Sequence, residues 1–225
     1  MKSRDAIFAN IKKSLRVSDA DGLRRETVAA RLEKHPRGII PARGQKPPAE
    51  RLELFKQMVE TAKATISVLP SRNDIPAAVA AYLRSKNLPQ MIRCGEDERL
   101  SLIPWATERT LEVTKGPSEG ADLASISHSF AAVAESGTLV MLSGADNPTT
   151  LNFLPDHHLI VVDEKDIAGD YESVWDKLRE RFGSKAMPRV VNWITGPSRS
   201  GDIEQTHLLG AHGPRSLHVL VVRST

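Results

Sequence analysis

Apolar and polar positions alternate along this chain in two rhythms, and the change of rhythm separates its parts. Near the start, Ile7, Ile11 and Leu15, with Ala6 and Phe8 beside them, recur at helical spacing, while Lys12, Lys13 and Arg16 fall largely on the other side. That pattern predicts a short amphipathic helix. A second helix is expected from about Arg24 to Lys34. His35-Pro36-Arg37-Gly38 and then Pro41 to Pro48 break regular structure, because proline and glycine both oppose helix continuation. This places a linker there and a domain boundary near Glu50, with residues 1–50 a basic helical arm and linker and residues 51–225 the main domain.

Beyond the linker, helices are expected at Arg51 to Lys63 and Asp74 to Lys86, alternating with short apolar strands at Ala64 to Leu69, Gln90 to Cys94 and Leu111 to Lys115. Such alternation is the signature of a parallel sheet covered on both faces. The second half holds more strand. Ala131 to Ala134 and Thr138 to Leu142 flank Glu135-Ser136-Gly137 and form one bent strand or a tight hairpin. His158 to Asp163 and Val190 to Ile194 are strands separated by an amphipathic helix, Tyr171 to Phe182. Leu217 to Val222 is nearly uniform in its apolar character, as a strand buried on both sides should be. Asn147-Pro148 reads as a turn that starts a short helix.

Composition narrows the class. With 225 residues and 40% hydrophobic content, the chain can fill the core of one ordinary domain with an appendage. It has no apolar run approaching the ~20 residues of a membrane-spanning helix and no secretory stretch after Met1-Lys2-Ser3-Arg4-Asp5, so a cytoplasmic location is expected. The single cysteine, Cys94, fits a reducing compartment and cannot supply four thiolates to an iron–sulfur cluster. Charge is unevenly distributed. Residues 1–51 carry 13 Lys/Arg against 6 Asp/Glu, whereas the rest carries 18 against 22. A basic arm suits an acidic partner or an anionic surface, or is merely a solvated tail. Without interleaved aromatics it lacks a stacking platform, and no nucleic-acid partner is expected.

Three glycine-rich clusters carry the candidate chemistry. Glu135-Ser136-Gly137-Thr138 follows an apolar run, and a carboxylate leaving such a run suits a general base or a nucleophile, or caps a turn. Thr195 to Glu204 packs Gly196, Pro197, Ser198, Arg199, Ser200, Gly201 and Asp202 between a strand and an expected turn or helix start. Ser198 or Ser200 can cap that start, its free N–H groups attract an anion, and the Arg199 guanidinium grips carboxylate or phosphate through two bonds, unless it pairs internally with Asp202. Neither a Walker loop nor Gly-x-Gly-x-x-Gly is present. His212 lies between Gly210 and Gly213 in a third cluster and can exchange protons near neutral pH, although histidines in turns are commonly inert. His157 and His158 are adjacent, so on a strand they face opposite ways and at most one can join a given site. With no His or Cys spacing of the metal-binding kind, no bound metal is expected. In an open α/β sheet, ligands sit beyond the carboxyl ends of strands, which makes one shared crevice the expectation for these clusters.

With their order and spacing, Ala134-Glu135-Ser136-Gly137-Thr138-Leu139-Val140, Leu154-Pro155 with His157, Ile194-Thr195-Gly196-Pro197-Ser198-Arg199, Asp202-Ile203-Glu204 and Leu209-Gly210-Ala211-His212-Gly213-Pro214 resemble the lactate-utilization protein C family, whose shared unit is the LUD domain. The likeness is close over residues 120–223 and looser before them. It implies the fold of the glucosamine-phosphate isomerase, ribose-phosphate isomerase and CoA-transferase superfamily, a three-layer α/β sandwich around a mostly parallel sheet. It also implies a subunit of a system that oxidises L-lactate to pyruvate, with the iron–sulfur clusters on partner subunits and no cofactor on this chain. On that reading Glu135 or His212 accepts the proton, while Gly137, Thr138, Gly196, Ser198, Arg199 and Asp202 bind a small carboxylate. Two rival expectations remain: CoA-transferase-like acyl transfer through Glu135, and a non-catalytic module that docks on iron–sulfur subunits.

Overall fold

The computed structural model describes residues 3–18, 21–183, 186–200, 208–210 and 212–223. The chain divides into two compact units, residues 1–39 and 40–225. The first contains helices α1 (Ser3–Ser14) and α2 (Gly22–Lys34). Asp21 caps α2 by accepting the Arg24 N–H at 3.1 Å, and neither helix buries a residue.

In the second unit the elements run α3 (Pro48–Thr61), β1 (Thr65–Leu69), α4 (Ile75–Ser85), β2 (Met91–Cys94), α5 (Glu98–Ser101), β3 (Glu112–Lys115), β4 (Ala124–His128), β5 (Ala131–Val133), β6 (Thr138–Leu142), β7 (His157–Asp163), β8 (Ile167–Ala168), α6 (Tyr171–Phe182), β9 (Val191–Ile194), β10 (Arg199–Ser200), β11 (Leu208–Leu209) and β12 (Ser216–Val222). Pro48 opens α3, where its missing N–H costs nothing. Asp170 caps α6 through the Ser173 N–H at 2.8 Å.

Six strands form an all-parallel sheet in the order β1-β12-β7-β4-β2-β3. Alternation along its central strands divides the core in two. Leu159, Val161, Leu220 and Val222 face α4, with Ile75, Val79 and Leu83. Ile160, Val162, Leu217, Val219 and Val221 face the other way and meet Leu52, Phe55 and Val59 of α3.

On that second side lies a smaller sheet, β8-β5-β6-β9. Ala131-Ala132-Val133 and Thr138-Leu139-Val140 pair antiparallel, which resolves the bent-strand alternative in favour of a tight hairpin. Ala132, Ala134, Leu139 and Met141 of this sheet join the α3 core. Its other face packs Val133 and Val140 on Val174 and Leu178 of α6. Helical layers thus enclose a mostly parallel sheet, as the resemblance implies, with the small sheet set into one of them. Where a turn or helix start capped by Ser198 or Ser200 is expected, Arg199 and Ser200 pair antiparallel with Leu209 and Leu208, and residues 201–207, which would carry such a start after Ser200, lie outside the described residues.

Candidate functional site

The hairpin turn and the loop after β9 come together because β6 pairs with β9, Leu139 beside Ile194. Both loops lean on the end of α3. Gly137 and Gly196 have φ of 69° and 73°, a region that favours glycine. A β-carbon on Gly137 would stand 2.6 Å from the Val59 nitrogen, and one on Gly196 would collide with the Ala62 carbonyl oxygen. The close approach these glycines allow is to a helix of the same chain. Arg199 points to the same place, its Nη2 donating to the Ala62 carbonyl at 3.2 Å.

Ser198 ties the second and third clusters together. Its N–H donates to the Pro214 carbonyl at 2.8 Å, its carbonyl accepts the Gly210 N–H at 3.1 Å, and its Oγ accepts the His212 N–H at 3.4 Å. Gly196, Ser198, Arg199 and His212 consequently line one cavity of about 270 Å³. Its remaining wall includes Trp193, Asn152, Phe153, His158 and Leu217. His158 and Leu217 are the second residues of β7 and β12, so the cavity sits at the amino ends of the parallel strands. The expected position beyond their carboxyl ends is corrected: only β9, in the small sheet, delivers its carboxyl end here.

Two buried polar side chains in this wall are incompletely paired. His158 is 0% exposed and Asn152 1%. Ser127 Oγ donates to Asn152 Oδ1 at 3.5 Å, so its oxygen is left to accept from His158 Nε2 at 3.1 Å. With Ser127 donating to Asn152, the proton of His158 is assigned to Nε2 and the lone pair to Nδ1. His158 Nδ1 and Asn152 Nδ2 have no hydrogen-bond partner among the described residues, a costly arrangement for buried groups. Burial pushes the His158 imidazole down to about 3, which keeps it neutral. Both residues belong to the cavity wall, with these two polar atoms sealed from solvent.

Glu135 is not among the residues around this cavity. It is 3% exposed, its N–H donates to the Gly169 carbonyl at 3.2 Å, and Gly44 packs against Gly169 beside its Cβ. Its Oε2 is buried without a hydrogen-bond partner among the described residues. Gly137 and Thr138 also stay outside the cavity, and the single hollow expected for all three clusters is corrected to one that unites the second and third. Thr138 is one hydrogen bond away: its Oγ1 lies 2.6 Å from Thr195 Oγ1 at the cavity wall and 2.8 Å from both Ser136 Oγ and the Tyr171 hydroxyl. Asp202 lies outside the described residues.

Sequence reasoning passed over Asn152, Trp193 and the Tyr171 and Thr195 hydroxyls, and weighed His158 only as a metal ligand. Among the described residues no group of three or more His, Cys, Asp or Glu is placed to hold a metal ion. Cys94 is buried, and burial raises its thiol. No helix among the described residues is long and apolar enough to cross a membrane.

Residues 52–222 match the model of the LUD domain, and the chain belongs to that family. It is 28% identical over 231 residues to an uncharacterized protein of Neisseria meningitidis serogroup B, across 99% of this chain and 94% of that one. To the lactate utilization protein C of Bacillus subtilis it is 34% identical over 98 residues, 43% of this chain and 41% of that protein. The Anoxybacillus flavithermus protein of the same name is 34% identical over 106 residues, 46% of each chain. These alignments with lactate utilization protein C span less than half the length of either partner. Among solved structures, a DUF162 family protein from Deinococcus radiodurans superposes with a TM-score of 0.55 at 25% identity, covering 79% of this chain and 99% of that one.

Proposed function

We propose that this chain serves lactate utilization in the cytoplasm by holding a small 2-hydroxy or 2-oxo carboxylate in the cavity at the amino ends of the parallel strands. The observation that carries this reading is the pair of unpartnered buried atoms in the wall, His158 Nδ1 and Asn152 Nδ2. A 2-hydroxy acid has matching groups: a hydroxyl that donates to the bare Nδ1 and a carboxylate that accepts from the amide. Arg199 has further donors beyond the one spent on Ala62, and can share the carboxylate.

Oxidation of lactate to pyruvate releases two electrons and two protons. His158 is too weak a base to keep a proton, so the hydroxyl proton passes to exposed His212 or to solvent. The C2–H bond breaks with its proton released to solvent, and its electron pair passes one electron at a time to iron–sulfur clusters on partner subunits. Acyl transfer through Glu135 draws no support from a carboxylate 3% exposed.

Isothermal titration of the full chain with L-lactate and with pyruvate tests the reading. The expected result is binding that weakens about tenfold or more in Arg199→Ala, the scale of one charge-assisted contact. Absence of binding by both acids, or an unchanged affinity in the variant, would overturn it.

A second reading concerns the arm. Helices α1 and α2 bury no residue and leave Ile7, Ile11 and Leu32 exposed, with exposed Leu15 just past the end of α1, an amphipathic pair suited to docking on iron–sulfur partner subunits. Reversing charge at Lys12, Lys13 and Arg16 should abolish co-purification with those subunits, whereas an intact complex would dismiss the arm's role.

A further inference from the structure

The opposite edge of the parallel sheet carries a second site. Beyond the carboxyl ends of β1, β12 and β7 opens a cleft of about 390 Å³, walled by Ser71, Arg72, Asp163, Lys165 and Arg223 among others. Its lining includes three cationic residues, Arg72, Lys165 and Arg223, and one carboxylate, Asp163. Arg72 Nη2 donates to Asp163 Oδ2 at 2.6 Å, which fixes the guanidinium and leaves its other donors to face a ligand. Lys165 and Arg223 then give the cleft a surplus of two positive charges.

Hydrogen bonds hold the segments that carry Arg72, Asp163 and Arg223. Arg72 sits in a tight turn at the head of α4, where the Ser71 N–H donates to Asp74 Oδ2 at 3.0 Å and the Asn73 N–H to Ser71 Oγ at 3.2 Å. Asp163 is the last residue of β7, with His128 Nε2 3.7 Å behind it. That imidazole is itself held by its Nδ1 on the Ser129 carbonyl at 2.9 Å. The Arg223 N–H donates to the Leu69 carbonyl at 3.0 Å, extending the pairing of β1 with β12 by one residue.

We propose that this carboxyl-end cleft binds a phosphate monoester of a small metabolite, with Arg72, Lys165 and Arg223 as its cationic clamp. A monoester concentrates two negative charges on one group with three acceptor oxygens, which matches the charge surplus and the planar donor fork of Arg72. The cleft falls within the size of small-molecule sites, leaving room for an organic part as well as the phosphate. Its place beyond the carboxyl ends of parallel strands is where such folds commonly take ligands. This site is separate from the lactate cavity, and neither proposal depends on the other.

Titration calorimetry of the full chain with glycerol 3-phosphate, inorganic phosphate and succinate tests it, beside Lys165→Ala, Arg223→Ala and the double variant. Lys165 and Arg223 are exposed, so these changes should leave thermal unfolding near that of the parent, and L-lactate binding serves as an internal control. The expected result is that glycerol 3-phosphate binds tighter than succinate, weakens about five- to tenfold in each single variant and at least fiftyfold in the double, while lactate binding is unaltered. Inorganic phosphate binding as tightly as the ester would keep the site and assign it to the free anion. Absence of binding by both phosphate ligands, succinate binding as tightly as the ester, or a double variant that binds like the parent would overturn the proposal.

Discussion

The two edges of the parallel sheet treat most of their polar groups in opposite ways, the buried His128 imidazole at the carboxyl edge, its Nε2 unpartnered among the described residues, being the exception. At the carboxyl edge, charged side chains are paired and partly wet: Arg72 with Asp163, and Arg99 with Asp97 at 2.6 Å. At the amino edge, His158 and Asn152 are neutral, sealed from solvent and only half satisfied. Paired charges near a surface are cheap to keep and ready to recruit an anion. Unpaired buried dipoles cost stability, and such a cost persists where a ligand repays it. The comparison teaches that strand-end polarity does not by itself say where the motif-rich loops converge, because a second sheet can deliver them to the other edge.

Acid should expose the largest effect. Burial pushes His158 down to about 3, and His128 and His218 to about 4, against an ordinary 6.5. The folded state thus excludes protons that the unfolded chain takes up, so stability is full above about pH 6.5 and falls progressively toward pH 4. Urea unfolding followed from pH 7.5 to 4.5 should show this loss, amounting to several kcal/mol in sum, with about one proton taken up per buried histidine. A flat profile would mean that these imidazoles are solvated, and the sealed, neutral state assigned to His158 at the amino edge would fail with it.

Gly196→Ala should come next, at about 3 kcal/mol or more, since the new methyl group meets both a positive φ and the Ala62 carbonyl. Gly120, at φ 97° with nothing within 4 Å of a β-carbon, supplies the control, where alanine should cost only about 1 kcal/mol. Equal losses in denaturant melts would show that α3 does not brace the cavity rim.

The smallest and sharpest test sets one edge against the other. Asp163→Ala strips a paired group and should cost about 2 kcal/mol. Asn152→Leu removes a half-satisfied one and should change stability by less than about 1 kcal/mol, in either direction, while weakening lactate binding about tenfold. Reversal of that order in unfolding measurements would contradict the assignment of unpaired cost to the amino edge.

Much of the fold was legible because the strands that dominate it are apolar on both faces. Thr138–Leu142 and the Tyr171–Phe182 helix emerge at their expected bounds, and His157–Asp163 and Ser216–Val222 within one residue. β4 was missed for a physical reason. All five residues of Ala124-Ser125-Ile126-Ser127-His128 are buried, yet three are polar, so no hydrophobic run announces them. Ser125 Oγ is satisfied by the Leu151 carbonyl at 2.7 Å, and Ser127 Oγ by Asn152 and His158. The same network holds His158 and Asn152 in the cavity wall, so the polar strand that hides β4 hides these two residues with it. The glycine-flanked loops that hold Ser198, Arg199 and His212 were readable, since flanking glycines mark close backbone approach. What approaches Gly137 and Gly196, a helix of the same chain, depends on tertiary packing that no local pattern records.

The position of β12 has a consequence for synthesis. This strand lies between β1 and β7, although it is translated after both, so a nascent chain that has emerged only through β9 holds an open slot with two unpaired edges facing it. The β7 edge is long and largely apolar, and either edge is able to accept an extended segment that arrives first. Residues 216–222 therefore act as the closing wedge, and slow elongation or premature termination shortly before them should send the polypeptide toward aggregation and chaperone capture, however well the earlier elements have formed.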